Sequence, residues 1–383
     1  MKSQIKHKQF DFILLILIIM LLGTGILMLG SSSFVRGSYL SDDSMHFMRH
    51  QAIYALGGVA VMIALSFVDY KIYKRFAGYI LIVALGLNYA TALIGQVRND
   101  AQRWLKIGGF SFQPSEALKI ALIIYLASVL SDTKWGEKSE KWFGLVSLVL
   151  PIGASLLAVV LQKHMSATII IGLICVAVML FGGVRWYVFG TIIGSGAAGV
   201  LLISKIKPDL FEHVGNRFEV YAATVFGNTT TIPEGMTEEA LSQIHNSILA
   251  IGSGGLWGLG FGKSIQKYSY LPEAYNDFIF AITAEELGFA GVAAILLIFG
   301  LFFARGFKAA LHCEEKFGTL IAAGIMTMMA LQTVLNIAVV SALIPVTGVS
   351  MPFFSYGGSS VVIILACMGI LLNIAKQSNY SKF

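Results

Sequence analysis

Residues 11–30 read DFILLILIIMLLGTGILMLG. After Asp11 the run carries no charged side chain, and its length matches the roughly 20 apolar residues needed to cross about 30 Å of hydrocarbon. Lys2, Lys6 and Lys8 precede it, as they would in a signal peptide. The apolar run is too long for that and lacks a small-residue cleavage site, so it reads as an uncleaved anchor. Working outward, nine more apolar segments follow with short gaps, at 51–68, 76–95, 115–131, 142–161, 165–182, 186–204, 277–304, 316–341 and 357–375. Only 13% of the 383 residues are charged and 56% are hydrophobic, whereas a soluble domain carries about 25% charge. The expected fold class is therefore an all-α polytopic membrane protein of about ten transmembrane helices. It forms one domain over 1–383, with a large extracytoplasmic loop at 205–276 between helices 7 and 8.

Charge distribution gives the expected orientation. With the N-terminus inside, the cytoplasmic basic residues are Lys2, Lys6, Lys8, Lys71, Lys74, Arg75, Lys134, Lys138, Lys141, Arg185, Arg305, Lys308, Lys316, Lys376 and Lys382. The short outer loops hold Arg36, Arg49, Arg98, Arg103, Lys106 and Lys163. That bias follows the positive-inside rule and puts both termini in the cytoplasm. Because the basic residues are scattered by topology, the net charge of +6 indicates a membrane and no nucleic acid. Cys175, Cys313 and Cys367 are packing residues, not a disulfide framework.

Four constellations carry candidate chemistry. The outer loop RNDAQRWLKIGGFSFQ (98–113) sets Arg103 and Lys106 where cations are usually scarce, suited to phosphate oxygens or to anionic headgroups. QPSEALK (113–119) opens a span with Pro114 in its first turn. Its Glu116 and Lys119, three residues apart, share a face and can pair. An ionisable pair inside a span marks a functional cavity or holds helices in register.

YLPEAYNDFIF (270–280) leads into AITAEELGF, with Asp277 at the mouth of a helix. There a carboxylate can act as a general base on a sugar hydroxyl, or merely cap the helix. Glu285 and Glu286, two turns deeper, suit a buried polar network or a partner for Lys119. Finally, PVTGVSMPFFSYGGSS (345–360) places two prolines and a Gly-Gly pair at membrane depth, where non-helical backbone lines a cavity or is buried in protein.

Other features are weaker. AIGSGGLWGLGFGKSIQK (250–267) fails as a nucleotide loop, because Trp257 stands where a P-loop needs glycine and no strand precedes it. Its Lys263 and Lys267 add positive charge near Asp277. Leu241, Ile244, Ile248 and Ile251 recur at helical spacing, predicting an amphipathic helix on the membrane surface. His164 reads as a satisfied or solvated histidine. No spacing suggests a structural metal; the only cofactor admitted is a divalent cation, magnesium or manganese, shared between carboxylates and a diphosphate.

At QRWLKIGGFSFQPSEALK, at the 250–288 block and at PVTGVSMPFFSYGGSS, the sequence resembles the SEDS family (shape, elongation, division and sporulation proteins) over nearly its whole length. The form SIQKYSYLPEA leans toward its FtsW and SpoVE branches. The resemblance implies ten transmembrane helices and a peptidoglycan glycosyltransferase that polymerises lipid II outside the bacterial cytoplasmic membrane. It also implies a class B penicillin-binding protein as partner.

The family's essential outer-loop acid falls on Asp277, and the buried pair of its fourth span on Glu116 and Lys119. Drawn from the matching stretches, the expected substrate-binding set is Arg103, Lys106, Glu116, Lys119, Ser264, Gln266, Lys267 and Ser355. One departure stands out: many members carry Gln-Pro-Asp after span five, and this chain has Gln162-Lys163-His164. The alternatives are a lipid II flippase, needing polar groups through the full membrane depth, and a non-catalytic scaffold for a transpeptidase.

Overall fold

In a computed structural model the structure describes residues 10–98, 101–108, 110–132, 142–206, 215, 221–222, 238–268 and 270–378. Lys2, Lys6, Lys8, Lys134, Lys138, Lys141, Lys382 and most of 205–237 lie outside them. The helices are α1 (Phe12–Ser41), α2 (His46–Phe67), α3 (Lys71–Ile94), α4 (Pro114–Leu130), α5 (Trp142–Leu161), α6 (Met165–Gly182), α7 (Trp186–Ile206), α8 (Glu238–Ser253), α9 (Ile279–Leu311), α10 (Lys316–Val340) and α11 (Gly358–Gln377). Every expected span falls on one of them. Among the described residues eight are long and apolar enough to cross a membrane. Of the remaining expected spans, α4 has only 17 residues and includes the charged pair, and α7 spans Trp186–Ile206.

Local chemistry fixes the helix ends. Asp11 caps α1 by accepting the Leu14 N–H at 3.0 Å, and its carboxylate also takes Arg305 Nε of α9 at 3.1 Å. Pro114 starts α4, where a missing N–H is harmless. The interior is built from α4, α6, α10 and α11, in each of which about half or more of the residues are buried. Small residues bring these helices close. A methyl at Gly369 of α11 would lie 2.5 Å from the Met62 carbonyl of α2, so the two backbones touch. Leu56, Tyr79 and Ile82 of α2 and α3 stay exposed and form the lipid-facing surface of a multi-pass membrane protein.

Two features differ from the sequence expectation. The 96–112 loop folds into a three-stranded antiparallel sheet, β1 (Gln96–Arg98), β2 (Ala101–Ile107) and β3 (Phe110–Phe112). Leu105 pairs with Phe112 across it. Three short strands leave the protein overwhelmingly helical.

The amphipathic helix exists as α8, but its buried face runs through Ile244, Ser247 and Ala250, whereas Ile248 is exposed. That face packs on α9 and α10, where Ser247 Oγ donates to the Val340 carbonyl at 2.7 Å.

Candidate functional site

The site begins where the 270–278 segment turns into α9. Glu273 takes a left-handed backbone at φ 54°. Its carbonyl accepts the Asn276 N–H at 2.9 Å, and its carboxylate accepts Asn276 Nδ2 at 2.5 Å. That tight turn leaves Phe278, not Asp277, in the cap position of α9, and no side chain caps the helix. The acid therefore stands one residue before the cap position. The Asp277 carbonyl accepts Asn336 Nδ2 of α10 at 2.7 Å, and the same amide nitrogen holds the Val349 carbonyl at 2.7 Å.

Residues 345–357 run non-helically beside this turn. Ser355 Oγ donates to the Asn276 carbonyl at 2.8 Å and accepts the Met351 N–H at 2.7 Å. The Tyr356 N–H reaches the Tyr275 carbonyl at 3.1 Å. Gln51 of α2 closes the far side, donating to the Ser355 carbonyl at 3.3 Å and accepting the Gly357 N–H at 3.1 Å. The irregular backbone is thus held at several points by protein while it lines a cavity, the setting in which such segments are tolerated in a membrane. Gly348 has φ 64°, and a methyl on it would lie 3.1 Å from Asp277 Oδ2. The acid lies directly against the segment.

The cavity holds about 600 Å³ and is lined by Asp277, Arg103, Glu116, Lys119, His164 and Ser355, among others. Lys119 Nζ meets Glu116 Oε1 at 2.8 Å, the lysine 1% and the glutamate 8% exposed, so the pair is desolvated at the cavity floor. Arg103 Nη2 donates to the Lys163 carbonyl at 3.0 Å, tying the small sheet to the α5–α6 turn. Burial, with the Glu273 charge adding to it, raises the Tyr275 phenol above its usual range, so this wall residue stays protonated at neutral pH.

The structure does not bring the whole expected set together. Strand alternation in β2 puts Lys106 on the face opposite Arg103, where it is exposed and outside the cavity. Ser264, Gln266 and Lys267 also lie outside its lining, in a second buried cluster.

In that cluster Lys267 Nζ reaches Glu286 Oε1 at 3.0 Å, the Gly262 carbonyl at 2.6 Å and Ser31 Oγ at 3.2 Å. Glu285 accepts Ser264 Oγ at 2.5 Å, the Ile265 N–H at 3.0 Å and the Gln266 N–H at 3.3 Å. Glu286 therefore serves Lys267 and not Lys119, whose partner is Glu116. These contacts clip the 256–267 loop onto α9 where it breaks at Gly288 (φ 64°, ψ −172°). The break frees the Glu285 and Glu286 carbonyls to accept the N–H groups of Leu259 and Gly260, each at 3.0 Å. The sequence signal for this arrangement was the glycine spacing of 254–262, which read only as permissive turns.

Three cavity residues were missed. His164 is 5% exposed, with Nδ1 3.4 Å from Ser115 Oγ. Ser166 donates to the Thr347 carbonyl. Gln332 is 2% exposed, and its Oε1 has no hydrogen-bond partner among the described residues. Of the three, the sequence singles out only His164, and not as a cavity residue, since each reaches the cavity through helix packing. Among the described residues no group of three or more His, Cys, Asp or Glu side chains is placed to hold a metal ion.

Comparison with known proteins gives a consistent result. Residues 12–380 match the cell cycle protein family of FtsW, RodA and SpoVE. Stage V sporulation protein E of Bacillus subtilis strain 168 is 36% identical over 380 residues, covering 98% of this chain and 99% of that protein. The same organism's "Probable peptidoglycan glycosyltransferase FtsW" is 36% identical over 389 residues, covering 98% and 93%. Among solved structures, a chain described under the structural coordination of polymerization and crosslinking by a peptidoglycan synthase complex superimposes with a TM-score of 0.73. It is 24% identical and covers 97% of this chain and 99% of its own.

Proposed function

The chain belongs to the cell cycle protein family of FtsW, RodA and SpoVE, and we propose that it is a peptidoglycan glycosyltransferase that polymerises lipid II in the cavity containing Asp277. The observation that carries the mechanism is the carboxylate of Asp277. It lines a polar cavity shared with Arg103 and the Glu116–Lys119 pair.

The donor is the growing glycan on undecaprenyl diphosphate, and the acceptor is the GlcNAc hydroxyl of lipid II. Asp277 takes the hydroxyl proton as the oxygen bonds to the donor's anomeric carbon. The bond from that carbon to the phosphate oxygen breaks, and the diphosphate lipid leaves with the electron pair. Arg103 meets the charge that develops on the leaving group, in a site where low dielectric strengthens the contact. Glu116 and Lys119 hold the floor. Every step runs through side chains, with none assigned to a divalent cation.

Basic residues support the orientation. Lys71, Lys74, Arg75, Arg185, Lys316 and Lys376 lie at or beside helix ends and outside the cavity lining; by the positive-inside rule we assign that face and both termini to the cytoplasm, and the cavity to the outside. A class B penicillin-binding protein is the proposed partner, because a polymerase of this kind needs a crosslinking enzyme to join its strands.

A flippase reading fits less well. Beneath Lys119 the described buried positions of α4, α6 and α10 include Leu122, Leu126, Ile174, Val178, Ile321 and Ile325, an apolar stretch that suits a flippase poorly.

The test is polymerisation of labelled lipid II by the purified protein, with and without the partner, beside Asp277→Asn. Glycan ladders from wild type and none from a folded variant are expected. Ladders from a correctly inserted Asp277→Asn would remove the base assignment.

A further inference from the structure

His164 is nearly enclosed, yet it lines the same cavity as Asp277. It occupies the cap position of α6 but makes no side-chain capping bond, so helix termination does not account for the ring. Lys163 before it adopts a left-handed backbone at φ 53°, and its carbonyl is held by Arg103 Nη2 at 3.0 Å. The turn thereby fixes imidazole and guanidinium on one wall. Nδ1 lies 3.4 Å from Ser115 Oγ, a contact in which either atom can donate, and the protonated ring carries two N–H donors.

Ser115 and His164 also mark the N-terminal ends of α4 and α6, which meet at this corner with their first N–H groups unsatisfied by their own helices. An anion is favoured there. A second, independent observation indicates an occupant: Gln332 of α10 is buried in the lining, and its Oε1 has no hydrogen-bond partner among the described residues. An acceptor of this kind suits a hydroxyl or amide N–H of a sugar. Gly348 abuts both the Asp277 carboxylate, at 3.1 Å, and Ser166 Oγ in the first turn of α6, at 3.9 Å from its Cβ position. The anion corner and the acid are therefore adjacent.

We propose that His164 binds a phosphate oxygen of the diphosphate-linked sugar lipid, so that protonation of its ring tightens substrate binding. This rests on the lipid-diphosphate reading of the cavity and assigns one residue within it.

Charges facing the ring come from several elements. Strand β2 contributes Arg103, α4 contributes the Glu116–Lys119 pair, and the 273–277 segment contributes Glu273, Tyr275 and Asp277. Lys163 precedes the ring, and α5 and α10 contribute no titratable lining group. Across the cavity α2 contributes His50, along with the Tyr54 phenol; Tyr356 is a further phenol. Of these, His50 is the other imidazole in the lining. The phosphates of a diphosphate diester keep fixed charge between pH 5.5 and 7.5, so a His50 variant is the control that separates the two histidines.

The probe is lipid I, the same diphosphate diester without the GlcNAc acceptor, which binds without being elongated. Its equilibrium binding to the full chain is measured at pH 5.5 and 7.5 for wild type, His164→Gln, His164→Arg and His50→Gln. Because a hydrogen bond from a charged donor is worth about tenfold more in affinity than one from a neutral donor, wild type should bind about tenfold tighter at the lower pH. His164→Gln should be weak and flat, His164→Arg tight at both, and His50→Gln like wild type. In polymerisation, His164→Gln should raise KM for lipid II and leave kcat within about twofold.

Wild-type affinity and pH response in folded His164→Gln would overturn the proposal, as would a pH response that follows His50. In both cases the function reading would stand. No diphosphate-lipid binding by wild type would overturn both.

Discussion

Replacing Gly348 with alanine separates two quantities that most active-site substitutions mix. The position has φ 64°, where a Cβ costs about 1–2 kcal/mol. The new methyl would stand 3.1 Å from Asp277 Oδ2 and 3.9 Å from Asp277 Cγ. The first distance is tighter than ordinary van der Waals contact, so the carboxylate must move by a few tenths of an ångström. Misplacing a reacting group by about 1 Å costs about 100-fold in rate, so this smaller shift should lower kcat by several-fold to about tenfold.

Gly183, at the opposite end of α6, has φ 73° and nothing within 4 Å of its Cβ position. Gly183→Ala therefore carries the same backbone strain without touching the acid. Thermal unfolding in detergent should show similar losses for the two variants. Lipid II polymerisation, read as initial glycan yield, should fall only for Gly348→Ala. Wild-type turnover in Gly348→Ala, or equal slowing in both variants, would refute the claim that the position of the Asp277 carboxylate sets the rate.

Two further outcomes follow from the buried charges and from the sheet. Lys267→Met leaves Glu286 buried without its cation, which should destabilise the protein by about 3–5 kcal/mol. Adding Glu286→Gln, which keeps an acceptor for Ser31 Oγ and the Ser264 N–H, should recover most of that loss in a thermal-unfolding comparison; no recovery would show that the pair is not the source. Arg103→Ala should cut polymerisation at least tenfold, whereas Lys106→Ala should stay within about twofold, since alternation along β2 turns the lysine out of the cavity. Comparable losses in both would mean that the strand sits differently against its substrate.

What the sequence made legible follows the range of the physics involved. Spans were readable because burial in lipid demands long apolar runs. Glu116 and Lys119 were readable as a pair because helical spacing alone puts them together, and they do meet at 2.8 Å. Lys267 was not. Its positive charge near Asp277 in sequence suggested a shared site, but the nearer partner in space is Glu286, placed by the break at Gly288. Charge along a chain says little once the backbone can turn between neighbours.

The same limit explains His164. It has no local partner pattern and gains its meaning from α4, β2 and the 345–357 segment closing around it. An imidazole so enclosed, beside an arginine and two helix N-termini, is in the setting where protonation changes the charge offered to an anion. A histidine there would attract the substrate more strongly as pH falls.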